Sequence, residues 1–342
     1  MSLPYSAEIW LQPYVKERFQ QLLSSRPSPR RAWVAITDHY EPFWKNRDEK
    51  LARERVAQWR VKWPQIAARH CDSAGKPPQY CFFYPEEEYR PDLMESLAEM
   101  VRDGIGDVEI HIHHDGEGQQ DFLDRMSAFR ETLFHKHGLL RRKDGNIVFG
   151  FIHGNWALDN SRTDGLCCGL NNEIQLLRDL GCYADFTMPC GPGSPQSKTL
   201  NKIYWANDDI CKPKSYDQGI EVRAGSLGTG DLLMITGPFG LLWNGRLRPG
   251  LEIGELAGYS LPTPYRAKRW LDLAPRIGED IFVKLFAHGT QERNSGPLLN
   301  GGLDGMFSAL RSECAGRGIQ LRYVTAWDMY QAVLSAAGGA PV

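Results

Sequence analysis

Short apolar runs alternate along the chain with longer segments whose apolar residues recur three and four positions apart. Trp33–Thr37 (WVAIT), Gln79–Tyr84 (QYCFFY), Asn146–Ile152 (NIVFGFI), Cys182–Phe186, Asp231–Thr236, Ile281–Phe286 and Gln320–Thr325 read as strands. Asp48–His70, interrupted at Pro64, then Arg90–Arg102, Asp121–Lys136, Asn172–Leu180, Leu303–Gly316 and Trp327–Ala336 read as helices. A further strand lies within Gly106–Glu117, GDVEIHIHHDGE, where Val108, Ile110 and Ile112 alternate with Glu109, His111 and His113. Strand and helix follow one another in the βαβ rhythm, which predicts parallel strands joined by right-handed crossovers. Pro13–Leu23 reads as a short amphipathic helix, and Arg26–Arg31 (RPSPRR) as a turn-rich linker. The three glutamates of Pro85–Tyr89 (PEEEY) are expected to face solvent. Cys190 to about Gly230, dense in Gly, Pro, Lys and Asp, reads as a long excursion from the core. The expectation is one domain over residues 1–342, with an N-terminal helical extension over about 1–30 and an excursion over about 190–230.

Composition narrows the classes. The 342 residues suffice for one large α/β barrel or two modest domains, and 42% hydrophobic with 24% charged residues is ordinary for a globular chain. A net charge of −2 offers no positive field to nucleic acid or to a membrane surface, so neither is an expected partner. Ten Trp and thirteen Tyr would suit the faces of sugar rings. No run approaches the roughly 18 apolar residues of a membrane span, and no basic-then-apolar leader opens the chain, so the expected location is cytoplasmic. Of eight Cys only Cys167 and Cys168 lie close together, and no C-x-x-C pair exists, so the thiols are expected free and buried.

The candidate chemistry sits where strands end. Imidazoles two apart on a strand point the same way with Cβ atoms roughly 7 Å apart, so His111 and His113 can reach one metal ion. Asp38-His39-Tyr40-Glu41-Pro42, His153-Gly154-Asn155-Trp156, Asp185 and Ala287-His288-Gly289 each follow or close a strand, the place where α/β proteins gather reactive groups. His135 and His137, in HKHG, read instead as cations at a helix C-terminus.

The order of these features resembles the polysaccharide deacetylase, or NodB-homology, fold of carbohydrate esterase family 4. ITDHYEP (Ile36–Pro42) stands where that family has Thr-Phe-Asp-Asp, PPQYCFFY where it has its second, Phe-rich strand, and GDVEIHIHH where it has its metal histidines. FIHGNW replaces an Arg-Pro-Tyr loop, LGCYADF is similar to a Leu-Gly-Tyr-x-x-Asp segment, VKLFAHG to the strand ending in a catalytic His, and AGRGIQLRYVTAWDMYQA to the closing strand and helix. The likeness covers nearly the whole chain through loose matches, as in a divergent branch. It implies an irregular seven-stranded (β/α) barrel and a metal-dependent hydrolase that removes acetyl groups from an N-acetylated sugar or polysaccharide. It also implies a divalent metal, of the zinc type, with Asp38, His39, His111, His113 and Asp115 as the candidate ligands. A single Asp38 followed by His39 replaces the paired aspartates. Aligning Glu109-Ile110 places the first metal His at His113 and the second at Glu117, or at Asp115 in the His-x-His form. Asp38 would be the base, His288 the acid and Asp185 a carboxylate tuning a partner, with His153, Asn155 and Trp156 contacting substrate. The alternatives are a non-catalytic carbohydrate-binding relic of the fold and a hydrolase of a non-sugar amide.

Overall fold

A computed structural model describes residues 4–23, 27–243 and 249–338; Arg26, the first residue of the expected linker, lies outside the described residues. In chain order the strands are β1 (Arg31–His39), β2 (Tyr80–Pro85), β3 (Gly106–Ile112), β4 (Arg141–Lys143), β5 (Asn146–His153), β6 (Cys182–Asp185), β7 (Ile203–Ala206), β8 (Gly219–Glu221), β9 (Leu232–Ile235), β10 (Gly240–Leu242), β11 (Gly250–Glu252), β12 (Glu255–Leu256), β13 (Arg276–Ile277), β14 (Asp280–Ala287) and β15 (Gln320–Tyr323). The helices are α1 (Ala7–Leu23), α2 (Glu49–Ala67), α3 (Pro91–Arg102), α4 (Gln119–His137), α5 (Glu173–Asp179), α6 (Pro264–Leu273), α7 (Glu292–Pro297), α8 (Leu303–Gly316) and α9 (Ala326–Ala336). Among the described residues no helix is long and apolar enough to cross a membrane.

The fold is mixed α/β around a curled sheet. Ten strands run in the order β12-β14-β1-β2-β3-β5-β6-β9-β7-β8, with β13, β15 and β4 pairing alongside. The strands from β12 to β9 pair in parallel, as the βαβ rhythm requires. Among the described residues the path has ten strands, where the expectation was a barrel of seven. The two outermost strands, β12 and β8, belong to opposite ends of the path, and the excursion accounts for part of the extra width. Its Ile203–Ala206 pairs antiparallel with both β8 and β9, and Leu200, Tyr204, Tyr216 and Val222 are buried. Tyr204 Oη donates to the Tyr216 carbonyl at 2.6 Å, so a segment rich in Gly and Pro still builds a satisfied core. Pro64 does not interrupt α2, and Asp48 caps that helix by accepting from the Lys50 N–H at 2.8 Å.

The sheet is covered on both faces, which is why its strands carry apolar residues at nearly every position. Val34, Ile36, Phe82, Val108, Ile110, Phe149, Phe151, Val283 and Leu285 pack beneath helices, in one core with Trp59, Leu97, Met126, Leu177, Trp270 and Phe307. Ala35, Phe83, Val148, Ile152, Tyr183 and Phe282 belong to the other face, where α9 inserts Met329, Tyr330 and Val333. By the two-residue period, Thr37, His39, Glu109, His111 and Lys284 share that inner face.

Candidate functional site

A cleft of about 800 Å³ opens past the C-terminal ends of β1, β3 and β14, with His39, Glu41, His113, Asn155, Trp156 and His288 among the residues of its wall. Glu41 is its centre. Two residues beyond His39, it continues the inward parity of β1, and its backbone carbonyl is fastened by Thr290 Oγ1 at 2.7 Å. Glu41 Oε1 lies 3.4 Å from His111 Nε2 and 3.3 Å from His113 Nε2. The other ring nitrogens are engaged. His111 Nδ1 donates to the Ile152 carbonyl at 2.8 Å, which leaves Nε2 turned toward Glu41, a lone pair when the ring is neutral and a donor when it is charged. His113 Nδ1 meets Glu87 Oε1 at 2.5 Å, a carboxylate that sets the orientation of the ring. The His39 ring stacks on His288 with centroids 4.6 Å apart and lies 5.0 Å from that of His111.

These positions set the charges. Burial works to raise the Glu41 pKa, but bonds from His111 and His113 and the charge of His288 outweigh it and hold the carboxyl well below its ordinary value. Burial works to lower His113, yet Glu41 and Glu87 push it up to about 10. Burial, with His288 and His111 close by, drives His39 well below the usual imidazole value. A proton on His113 offsets one of the two carboxylate charges, Glu41 and Glu87, that the ring faces. The donor set also fits a divalent cation. The spacings of 3.3 and 3.4 Å are long for a charge-assisted hydrogen bond and match the roughly 3.3 Å edge of a tetrahedron with metal–ligand bonds near 2.05 Å. Glu41, His111 and His113 form one group able to hold a metal ion, and His39, Glu41 and His288 form another around the same carboxylate.

A second cluster lies on the helix-covered side. His114, following His113, points away from the cleft and packs on Phe122 of α4, with centroids 5.0 Å apart. Its Nε2 is 3.1 Å from Glu173 Oε1 and 2.9 Å from His153 Nε2, and His153 Nε2 is 3.2 Å from the same oxygen. Cys168 Sγ lies 3.5 Å from Glu173 Oε2. All four side chains are buried, and their ligand atoms lie within 4.8 Å of one another.

Several expected residues stand elsewhere. Asp38 has the opposite parity to His39 and is fully buried, accepting from Tyr80 Oη at 2.9 Å and from the Gly289 N–H at 2.8 Å. Burial pushes its carboxyl up to about 7 against those two bonds. It therefore holds the turn that carries His288 and does not reach the cleft as a base or ligand. His153 likewise faces the helices and not the substrate side, whereas Asn155 and Trp156 do border the cleft. Asp115 is exposed and accepts from the Cys167 N–H at 2.8 Å, and Glu117 pairs with Arg125; neither joins a metal-binding group among the described residues. Asp185 turns back on Thr187, accepting from its N–H at 2.9 Å and its Oγ1 at 2.6 Å, and burial pushes it up to about 7. The PEEEY glutamates all have partners: Glu86 pairs with Arg125, Glu87 with His113, and Glu88 accepts from the Phe43 N–H at 2.7 Å. His39, His111, His113 and His288 do converge.

The sequence alone did not single out Glu41, Glu87, His114, Cys168 or Glu173. Glu41 had a usable signal in its spacing from His39. Gly154 marks a close approach at the second strand end. A Cβ there would meet His113 Cδ2 at 2.3 Å and the Ile112 carbonyl at 2.7 Å. No protein-family model matches the chain, and no curated protein gives a match.

Proposed function

We propose that the chain is a metal-dependent hydrolase that removes an acetyl group from an N-acetylated sugar or a related amide, a divergent relative of the polysaccharide deacetylases. The observation that carries this reading is Glu41 Oε1 set between His111 Nε2 and His113 Nε2 in an open cleft, at 3.4 and 3.3 Å. Glu41, His111 and His113 would hold a divalent ion of the zinc type, which would supply Lewis acidity toward an amide carbonyl and a water. Glu87 and the Ile152 carbonyl fix the two rings.

Proton movement falls to His288, which stands at the wall of the cleft with its ring stacked on His39, centroids 4.6 Å apart. It would take the proton of the attacking water and return it to the leaving nitrogen. Trp44, Trp156 and Tyr259 give the cleft aromatic faces for a sugar ring, and Asn155 and Arg47 give it polar contacts.

The test is acetate release from N-acetylated oligosaccharides by the zinc-loaded chain, with Glu41→Gln as comparison. Release that disappears in the variant supports the reading. A second reading, a carbohydrate-binding protein without turnover, is favoured by the burial of Asp38, which removes the carboxylate expected as base. Glycan binding without acetate release under every divalent metal would establish that alternative.

A further inference from the structure

We infer that His114, His153, Cys168 and Glu173 form a second metal site, a closed structural site of the zinc class that is separate from the cleft. The inference does not depend on the proposed activity. It rests first on a triangle of donor atoms: His114 Nε2, His153 Nε2 and Glu173 Oε1 stand 2.9, 3.1 and 3.2 Å from one another. Hydrogen bonds alone do not account for it. His153 Nδ1 lies 2.6 Å from the Gly154 carbonyl, which only accepts, so that nitrogen carries the proton of a neutral ring and Nε2 is a bare lone pair. A proton on His114 Nε2 can point at one of its two neighbours, and the remaining contact sets the His153 lone pair against a carboxylate oxygen. Protonating both Nε2 atoms, which requires only that His153 be charged, would crowd two buried N–H groups 2.9 Å apart against the same oxygen. The Nδ1 of His114 lacks a partner under either account and does not decide between them.

A cation inside the triangle removes the conflict, and Cys168 completes its shell. Two neutral imidazoles, a carboxylate and a thiolate around a divalent ion sum to zero charge, which suits a fully buried position. Two nitrogens, one sulfur and one oxygen in a compact four-point set are the donors of tetrahedral zinc, and a shell with four protein ligands leaves no position for substrate.

The loop that these ligands enclose gives an independent reason. Asn155, Trp156, Asp159, Asn160 and Cys167 all have left-handed backbones, with φ of 53, 55, 53, 51 and 67°. Five non-glycine residues so strained in one short loop persist only where surrounding contacts over-determine them. The four ligands come from the end of β3, the end of β5, the loop itself and the first turn of α5. An ion among them clamps the loop that carries Asn155 and Trp156 to the cleft.

Cobalt substitution of the full chain tests the site. Cys168 is the sole thiol in the metal-binding groups found among the described residues, and the cleft set contains none. Thiolate-to-cobalt absorption in the near ultraviolet is expected in the wild type, retained in Cys167→Ser and in Glu41→Gln, and lost in Cys168→Ser together with one equivalent of metal per chain. Absence of that absorption from the cobalt-loaded wild type, or its persistence in Cys168→Ser, overturns the inference. Should Cys168→Ser not fold, alkylation of the wild type resolved by mass spectrometry decides. Cys168 protected in the zinc-loaded chain and modified after chelation supports the site, and equal modification with and without chelator refutes it.

Discussion

His113 and His114 are consecutive residues that serve opposite sides of one sheet: His113 Nε2 lies 3.3 Å from Glu41 in the cleft, and His114 Nε2 lies 3.1 Å from Glu173 beneath the helices. The alternation of a strand, carried one residue past its end, is enough to divide a His-His pair between two sites.

The carboxylates beside the strand ends separate by role. Glu41→Gln removes a charged oxygen from between His111 and His113 and is expected to lower acetate release by more than about a hundredfold while the chain stays folded. Asp38→Asn keeps an acceptor for the Gly289 N–H and is expected to stay within about tenfold of wild type. Steady-state rates of the two variants check this, and a dead Asp38→Asn would return the base to Asp38.

A pH effect follows from Lys284. Its ammonium is buried, donates to the Phe186 carbonyl at 2.8 Å, and is driven from 10.5 down to about 7, with Asp185 opposing the shift. Between those values the unfolded chain binds a proton that the folded chain does not, so this residue makes stability rise with pH through the window and fall as pH drops toward 7. Lys284→Met abolishes that contribution. Urea unfolding between about pH 7.5 and 9.5 is expected to show a flatter dependence in the variant, by up to about 1.4 kcal/mol per pH unit. Identical slopes would contradict the assignment.

Arg141 is the cation of a buried network. Its Nη2 donates to both Asp107 oxygens at 2.8 and 2.7 Å, and Nη1 lies 2.9 Å from Glu109 Oε1 as an ion pair without hydrogen-bond alignment. Arg141→Met leaves two buried carboxylates without their counter-charge and is expected to cost about 3–5 kcal/mol in denaturant unfolding. A loss below about 1 kcal/mol would mean that Tyr183 and the Gly150 N–H, which also bond Glu109, suffice.

Glu87 is a positioning residue for His113. Glu87→Gln keeps the side-chain shape but weakens the bond to Nδ1, and metal affinity at the cleft is expected to fall about 10–100-fold. A competition titration with a chromophoric chelator reads this directly, and unchanged affinity would show that Glu41 alone orients the ring.

The strand and helix order was legible because apolar runs and helical periods alternate so regularly. The shared face of His111 and His113 was legible for the same reason: Val108, Ile110 and Ile112 show the parity of that strand. Parity failed elsewhere because the sheet is covered on both faces. In WVAITDH and NIVFGFIH nearly every position is apolar, so nothing in the pattern tells that His39 and not Asp38 turns inward, or that His153 turns to the helices. The excursion hid its strands because Ile203–Ala206 and Gly219–Glu221 are only four and three residues long. Cys168 and Glu173 lie 54 and 59 residues from His114, and no local spacing announces a cluster closed by tertiary folding.

The fit of Gly154 against His113 reaches beyond this molecule to the ways its sequence can drift. A methyl group at 154 would overlap both the imidazole and the Ile112 carbonyl, so loss of the histidine alone does not open the position. In a randomised library glycine should persist at 154 in clones that keep His113 and in those that lose it, because the backbone of the neighbouring strand holds the position closed on its own account.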